Sequence, residues 1–233
     1  MTTKTAPIST LRKFDLPECA TAAILFLESG DTAYCSRERG VTSQKFVRLP
    51  DLARAFAKAQ IDMGWVTVGD AFIRGGYGGK GDWYIVKVPD RFASIIIDGM
   101  GRPTIPLPPL YIAGAGKDHY VFASNTHAHQ EDAPLFWAPF PNAGRGNICW
   151  GQNRPPKPML KNGLDAWQIF IRSPFNQHDI TGLSRKYPKD VRQMLMSLDG
   201  KKTYPVKDMV PVGSGDTTLE TLVNQLKGEQ DVR

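Results

Sequence analysis

The chain has 233 residues, 41% of them hydrophobic, and 29 Lys and Arg against 23 Asp and Glu give a formal net charge of +6. This is enough apolar material for a core of ordinary size, which excludes a disordered chain and points to one domain or a domain with an added subdomain. The most apolar runs, residues 22–27 and 93–97, are too short to cross a bilayer, and MTTKTAPISTLRKF holds no apolar stretch with a small-residue cleavage site, so the expected compartment is the cytoplasm.

Residues 1–15 are polar and aperiodic and read as a flexible tail. Residues 20–28 and 32–38, joined through Ser29-Gly30-Asp31, read as a β-hairpin. A helix is expected next, because Leu52, Ala55, Phe56 and Ala59 recur at helical spacing behind Pro50-Asp51, with Gly64 as its stop. In GGYGGKG, Gly76, Gly78 and Gly81 match G-x-G-x-x-G, but a strand-like WYIVKV follows where a dinucleotide site needs a helix. A mobile glycine loop is the expectation.

Residues 83–88, 92–97, 110–115 and 120–124 are short apolar runs between turn sequences and predict an antiparallel β-meander. LDAWQIFI (164–171) and KDVRQMLMSL (189–198) look helical, and residues 217–225 form a third helix with Asp216 as its N-cap. Strands followed by helices argue for an α+β arrangement. The segment 150–207 is basic, with eleven Lys and Arg against four Asp and Glu, which suits an acidic partner, nucleic acid or a solvated surface.

His127 and His129 alternate in THAHQED and could ligate a metal, but no third ligand has a recognisable spacing, so no metal site is assigned. Three cysteines form no CxxC pair and no disulfide framework. Cys19 and Cys35 lie in or beside the hairpin and read as small buried apolar residues. Cys149 differs: PFPNAGRG precedes it and Trp150-Gly151 then NRPPKP follow, a setting of irregular, accessible backbone.

Pro141-Asn142 followed by Gly146-Asn147-Ile148-Cys149 resembles the fingerprint of ubiquitin-conjugating (E2) enzymes, in which a His-Pro-Asn turn precedes a Gly-x-Ile/Val-Cys segment. With the flanks PLPPLYIAGAGKDHYVFAS, APLFWAPFPN and LDAWQIFIRSPF, the chain is similar to prokaryotic E2 family D, which includes a component of the PRTRC (ParB-related, ThiF-related cassette) systems. The similarity covers about residues 83–198 and is most specific over 106–175. One position departs from the fingerprint: Phe140 stands where the histidine would be.

The resemblance implies a UBC (E2)-like α+β fold, with an antiparallel β-meander packed against helices. Residues 16–82 would then be an N-terminal extension of hairpin, helix and glycine-rich loop, 83–200 the catalytic core, and 201–233 a C-terminal segment with a short helix. It implies a transferase without a cofactor that receives a ubiquitin-like protein from a ThiF-type E1 as a thioester on Cys149 and passes it to an amine. A thiol suits this work because its acyl bond is readily attacked by amines. Asn142 is suited to donate a hydrogen bond to the developing oxyanion, and equally to hold the turn beside proline.

Gly146, with Gly144 and Gly151, would let a partner's tail approach the backbone, and Trp150 would shield the thioester or anchor the loop. His178 and Asp179 are positional candidates for orienting the acceptor amine, or are simply a polar loop. Two other readings stand beside the enzyme: an E2-fold adaptor that binds a ubiquitin-like protein or E1 without catalysis, and a plasmid-associated nucleic-acid-binding protein, for which no reading element is apparent.

Overall fold

A computed structural model describes residues 16–28, 30–58, 61–68, 71–126 and 131–228. The expected tail 1–15 and the pair His127 and His129 lie outside the described residues. The chain divides into two compact units, Met1–Ala59 and Gln60–Arg233.

In the first unit, β1 (Ala22–Phe26), β2 (Thr32–Glu38) and β3 (Val41–Val47) form an antiparallel sheet in that order, followed by α1 (Leu49–Lys58). The expected hairpin is present, with Ala23 opposite Cys35. The third strand, VTSQKFV, has too little apolar alternation to announce itself. It is placed by a two-residue turn in which Arg39 and Gly40 both have positive φ, 49° and 80°, the geometry that matches strand twist. Cys35 is fully buried, as expected, but Cys19 is exposed because it sits in a turn before β1.

The second unit is built on a six-stranded antiparallel sheet of order β11-β10-β9-β6-β5-β4. Its strands are β4 (Ile61–Val68), β5 (Ala71–Gly78), β6 (Gly81–Lys87), β9 (Leu110–Ala115), β10 (Asp118–Ser124) and β11 (Leu135–Trp137). Between β6 and β9, β7 (Phe92–Ser94) and β8 (Thr104–Pro106) pair only with each other. The meander is therefore interrupted: β6 pairs with β9, Trp83 opposite Ala115. Pro89, Pro103, Pro106, Pro108 and Pro109 withhold the N–H groups that would continue the main ladder through this excursion.

The glycine stretch is not a mobile loop. Gly75, Gly76 and Gly78 belong to β5, and Gly79-Lys80 is the turn into β6. A Cβ on Gly76 would lie 1.7 Å from the Ile61 carbonyl oxygen, so only glycine allows the strands this close. Gly64 likewise stops no helix. It lies at a bulge in β4 with φ 68°, and α1 has already ended at Lys58.

Alternation sorts the sheet into two cores. Tyr84, Val86, Ile112, Val121 and Ala123 face a cluster with α2 (Gly163–Arg172) and α3 (Val191–Ser197). Trp83, Ile85, Tyr111, Ala113 and Phe122 face α4 (Leu219–Lys227) through Leu219, Leu222, Val223 and Leu226. The expected helices are all present, which makes the second unit α+β. The cap of α4 is Thr218, in a reciprocal capping box with Thr221; Asp216 instead accepts a hydrogen bond from Ser214 Oγ. Asp190 caps α3 by accepting from the Arg192 backbone N–H at 2.9 Å.

A half-buried ion cluster ties β4, β5 and α4 together. Arg74 donates twice to Asp62, at 3.0 and 2.8 Å, and Lys227 Nζ lies 2.7 Å from the same carboxylate. The Arg74 guanidinium holds the Asp62 carboxyl well below the usual carboxylate range. A carboxylate whose folded pKa is depressed stabilises the fold above its unfolded pKa and loses that contribution as pH falls. Asp62→Asn is therefore expected to cost about 2 kcal/mol at neutral pH. In urea unfolding, its difference from the unaltered protein should shrink below about pH 4.

Candidate functional site

The loop from Ala138 to Gly151 hangs from the free part of the β10 edge. β11 covers only Phe122–Ser124 of β10, so the backbone of His119 and Tyr120 is open on that side. Residues 147–148 occupy it: Tyr120 and Asn147 form an isolated bridge, and Ile148 N donates to His119 O at 2.9 Å. Within the loop, Cys149 N donates to Asn142 O at 2.8 Å, which closes residues 142–149 into a ring. The Cys149 residue is exposed.

Of the four described non-glycine residues with positive φ, three belong to this loop and its neighbour: Asn142 at 62°, Arg145 at 50° and Asp179 at 54°. Asn and Asp tolerate this backbone better than other side chains do, and such conformations gather where surrounding structure enforces them. Gly146 is left-handed as well, and a Cβ there would stand 2.6 Å from the Phe122 ring. Gly146 is buried, and the space left by its missing side chain is taken by Phe122. The space at Gly144 is taken by the Asp179 carboxylate, 2.3 Å from where a Cβ would be. Only Gly151, of the three glycines, opens to free space.

Asn142 is held on three sides. Its N–H donates to His178 O at 2.9 Å, its carbonyl accepts from Cys149, and Nδ2 donates to Pro174 O at 3.3 Å. Its side-chain oxygen is buried without a partner. The asparagine thus braces the cysteine loop against residues 174–178 and keeps one amide hydrogen uncommitted. Those contacts also bring His178 and Asp179 to the site. Both are partly exposed and paired with each other, His178 Nδ1 to Asp179 Oδ2 at 2.7 Å.

Phe140 is fully buried and stacks on Phe175 with ring centroids 5.5 Å apart, edge-on to Phe170 and Trp167. The turn that a polar ring would hold by hydrogen bonds is held here by aromatic packing. Trp150 is half-buried. It meets the His119 ring edge-on at 5.2 Å and Phe170 at 6.4 Å, so it anchors the residue after the cysteine to the core.

His119 itself was missed by the sequence reading. It is 1% exposed beneath the loop, and neither ring nitrogen has a hydrogen-bond partner among the described residues. The signal was present: His119, Val121 and Ala123 alternate, so the histidine had to face inward once β10 began at Asp118 instead of Tyr120. Burial pushes its pKa down to about 4, against a small opposing pull from Asp118.

The family model of prokaryotic E2 family D matches residues 52–212, well over half the chain, and the protein belongs to that family. No curated protein matches the chain, and no solved structure matches it. No helix among the described residues is long and apolar enough to cross a membrane.

Two outcomes follow from these placements. Alkylation of the native protein with iodoacetamide, read by mass spectrometry, should label Cys149 and Cys19 and spare Cys35 until denaturant is added. For His119 the unfolded chain binds the proton first, so stability is full above about pH 6.5 and falls towards pH 4. Up to roughly 3 kcal/mol is at stake, and His119→Phe should flatten that part of the stability profile in denaturant titrations at several pH values.

Proposed function

We propose that this protein is an E2-like transferase with a UBC-like core, formed around residues 83–200, that carries a ubiquitin-like protein on Cys149. The observation that supports this best is the exposed Cys149 residue on a loop whose backbone is closed by Asn142. The Cys149 thiolate attacks the thioester carbonyl on a ThiF-type E1, and the E1 sulfur leaves as a thiolate. An acceptor amine then attacks the new thioester, the carbon–sulfur bond breaks, and Cys149 is released. No cofactor is required in either step.

During the second attack the carbonyl oxygen gains negative charge, and the uncommitted amide hydrogen of Asn142 is its donor. The amine must lose a proton as the amide forms. We assign the orienting of the amine and acceptance of that proton to the Asp179 carboxylate, and its pairing with His178 and closeness to Gly144 in the cysteine loop support this. Trp150 holds the thioester's base against the core, and Gly146 keeps the loop close to β10.

The adaptor reading draws on a specific observation as well: the Asn142 amide already donates to Pro174 O, and Phe140 replaces the fingerprint histidine. The two readings separate on a non-reducing gel after incubation with a ThiF-type E1, its ubiquitin-like protein and ATP. The enzyme is expected to form a dithiothreitol-sensitive adduct that Cys149→Ala lacks and that Cys149→Ser replaces with a resistant ester. Binding without an adduct would establish the adaptor. For Asn142, both Ala and Gly variants should slow discharge to an amine about 100-fold. Recovery in Asn142→Gly, which relieves the left-handed backbone but supplies no donor, would reduce the residue to turn support.

A further inference from the structure

On the far face of the sheet from α2, a cavity of about 390 Å³ opens between β10, β11 and α4. This lies within the range of small-molecule sites in proteins, roughly 300–1,000 Å³. Phe122 and Trp137 line it with ring centroids 6.0 Å apart and planes inclined by only 32°, and Tyr120 and Leu226 extend the apolar wall. Its charged lining residues are Lys80, from the β5–β6 turn, and Arg145, from the cysteine loop. No carboxylate lines it, and among the described residues neither cation forms an ion pair.

This combination is not what a residual packing defect provides. Packing defects are small and lined by apolar atoms. Walls formed by Phe122 and Trp137 favour an aromatic ring in contact with them. Two cations that form no ion pair among the described residues favour one anionic group on that ring, and the apolar wall weakens the competition from water. Arg145 is held in a left-handed turn by the closed loop, and Lys80 follows Gly79, whose N–H is fixed to Lys227 O at 3.0 Å. Both backbones are therefore set before any ligand arrives, which lowers the ordering cost of binding.

We propose that this cavity binds a small planar aromatic molecule carrying one anionic group, its ring against Phe122 and Trp137 and its carboxylate or phosphate at Lys80 and Arg145. The site is separate from the chemistry assigned to Cys149 and stands whether or not that thiol carries an acyl group.

The test is calorimetric titration of the full chain with two anions, indole-3-acetate as an aromatic carboxylate and adenosine monophosphate as a nucleotide. Indole-3-ethanol and adenosine serve as their uncharged counterparts. At least one anion is expected to bind saturably at a single site, about tenfold or more tighter than its neutral counterpart, and the anion that does so identifies the source. Lys80→Ala and Arg145→Asn are both surface changes, and Asn suits the positive φ, so the fold is kept. Each should weaken the anion about tenfold and leave the neutral compound nearly unchanged. The proposal is overturned if neither anion saturates by about 1 mM, or if the double variant binds as well as the unaltered chain. Binding gained only after deletion of residues 229–233 would assign the cavity to the chain's own acidic end and overturn it equally.

Discussion

Strand β9 is buried along its entire length and on both faces, and the second unit is arranged to satisfy that burial. A strand apolar on both sides needs two covering layers, one from α2 and α3 and one from α4. At Gly114 the packing is so close that a Cβ would meet the ring of Tyr84 on the neighbouring strand at 2.5 Å and Pro158 at 2.9 Å. Its neighbour β10 inherits a fixed position from this core. Because β11 covers only the C-terminal end of β10, the remaining edge is left to the cysteine loop. The place of Cys149 is therefore a consequence of where the sheet is buried and where its edge strand stops.

The loop is rigid for reasons that do not involve the thiol. Phe140, Phe170, Phe175 and Trp167 form an aromatic knot under its proline-rich start, and Trp150 and His119 do the same under its end. Between these anchors, Asn142 links the loop to residues 174–178 through main chain and side chain alike. A reactive group is most precisely placed when packing and hydrogen bonds around it lock its supports. Here the supports are buried and the sulfur-bearing residue is exposed, a division of labour suited to a partner that must approach from solvent.

The protein belongs to prokaryotic E2 family D, and the chemistry proposed above rests on that membership together with the exposure of Cys149. Arg145 gives the loop a second aspect. It stands between Asn142 and Cys149 in the chain, yet it lines the cavity on the α4 side of the sheet. The same short segment thus faces a solvent-exposed thiol in one direction and an aromatic, cationic cavity in the other.

Local pattern alone determined the elements with strong periodicity: the β1–β2 hairpin, strands β6, β9 and β10, and the helices near 164–171, 189–198 and 217–225. It also set Cys149 apart in an irregular, accessible Pro-Gly loop, whereas Asn142 was marked by the resemblance to the E2 fingerprint. It could not supply β3, whose residues are mostly polar, or β4 and β5, whose glycines look like a loop until the Ile61 carbonyl is seen pressed against Gly76. Nor could it bring Asp179 over Gly144, put His119 beneath Trp150, or spend Gly146 on Phe122. Those relations join residues up to 35 positions apart in the chain. They are decided by which backbones can approach closely enough to pack and hydrogen-bond, a property of the assembled sheet that no window of sequence contains.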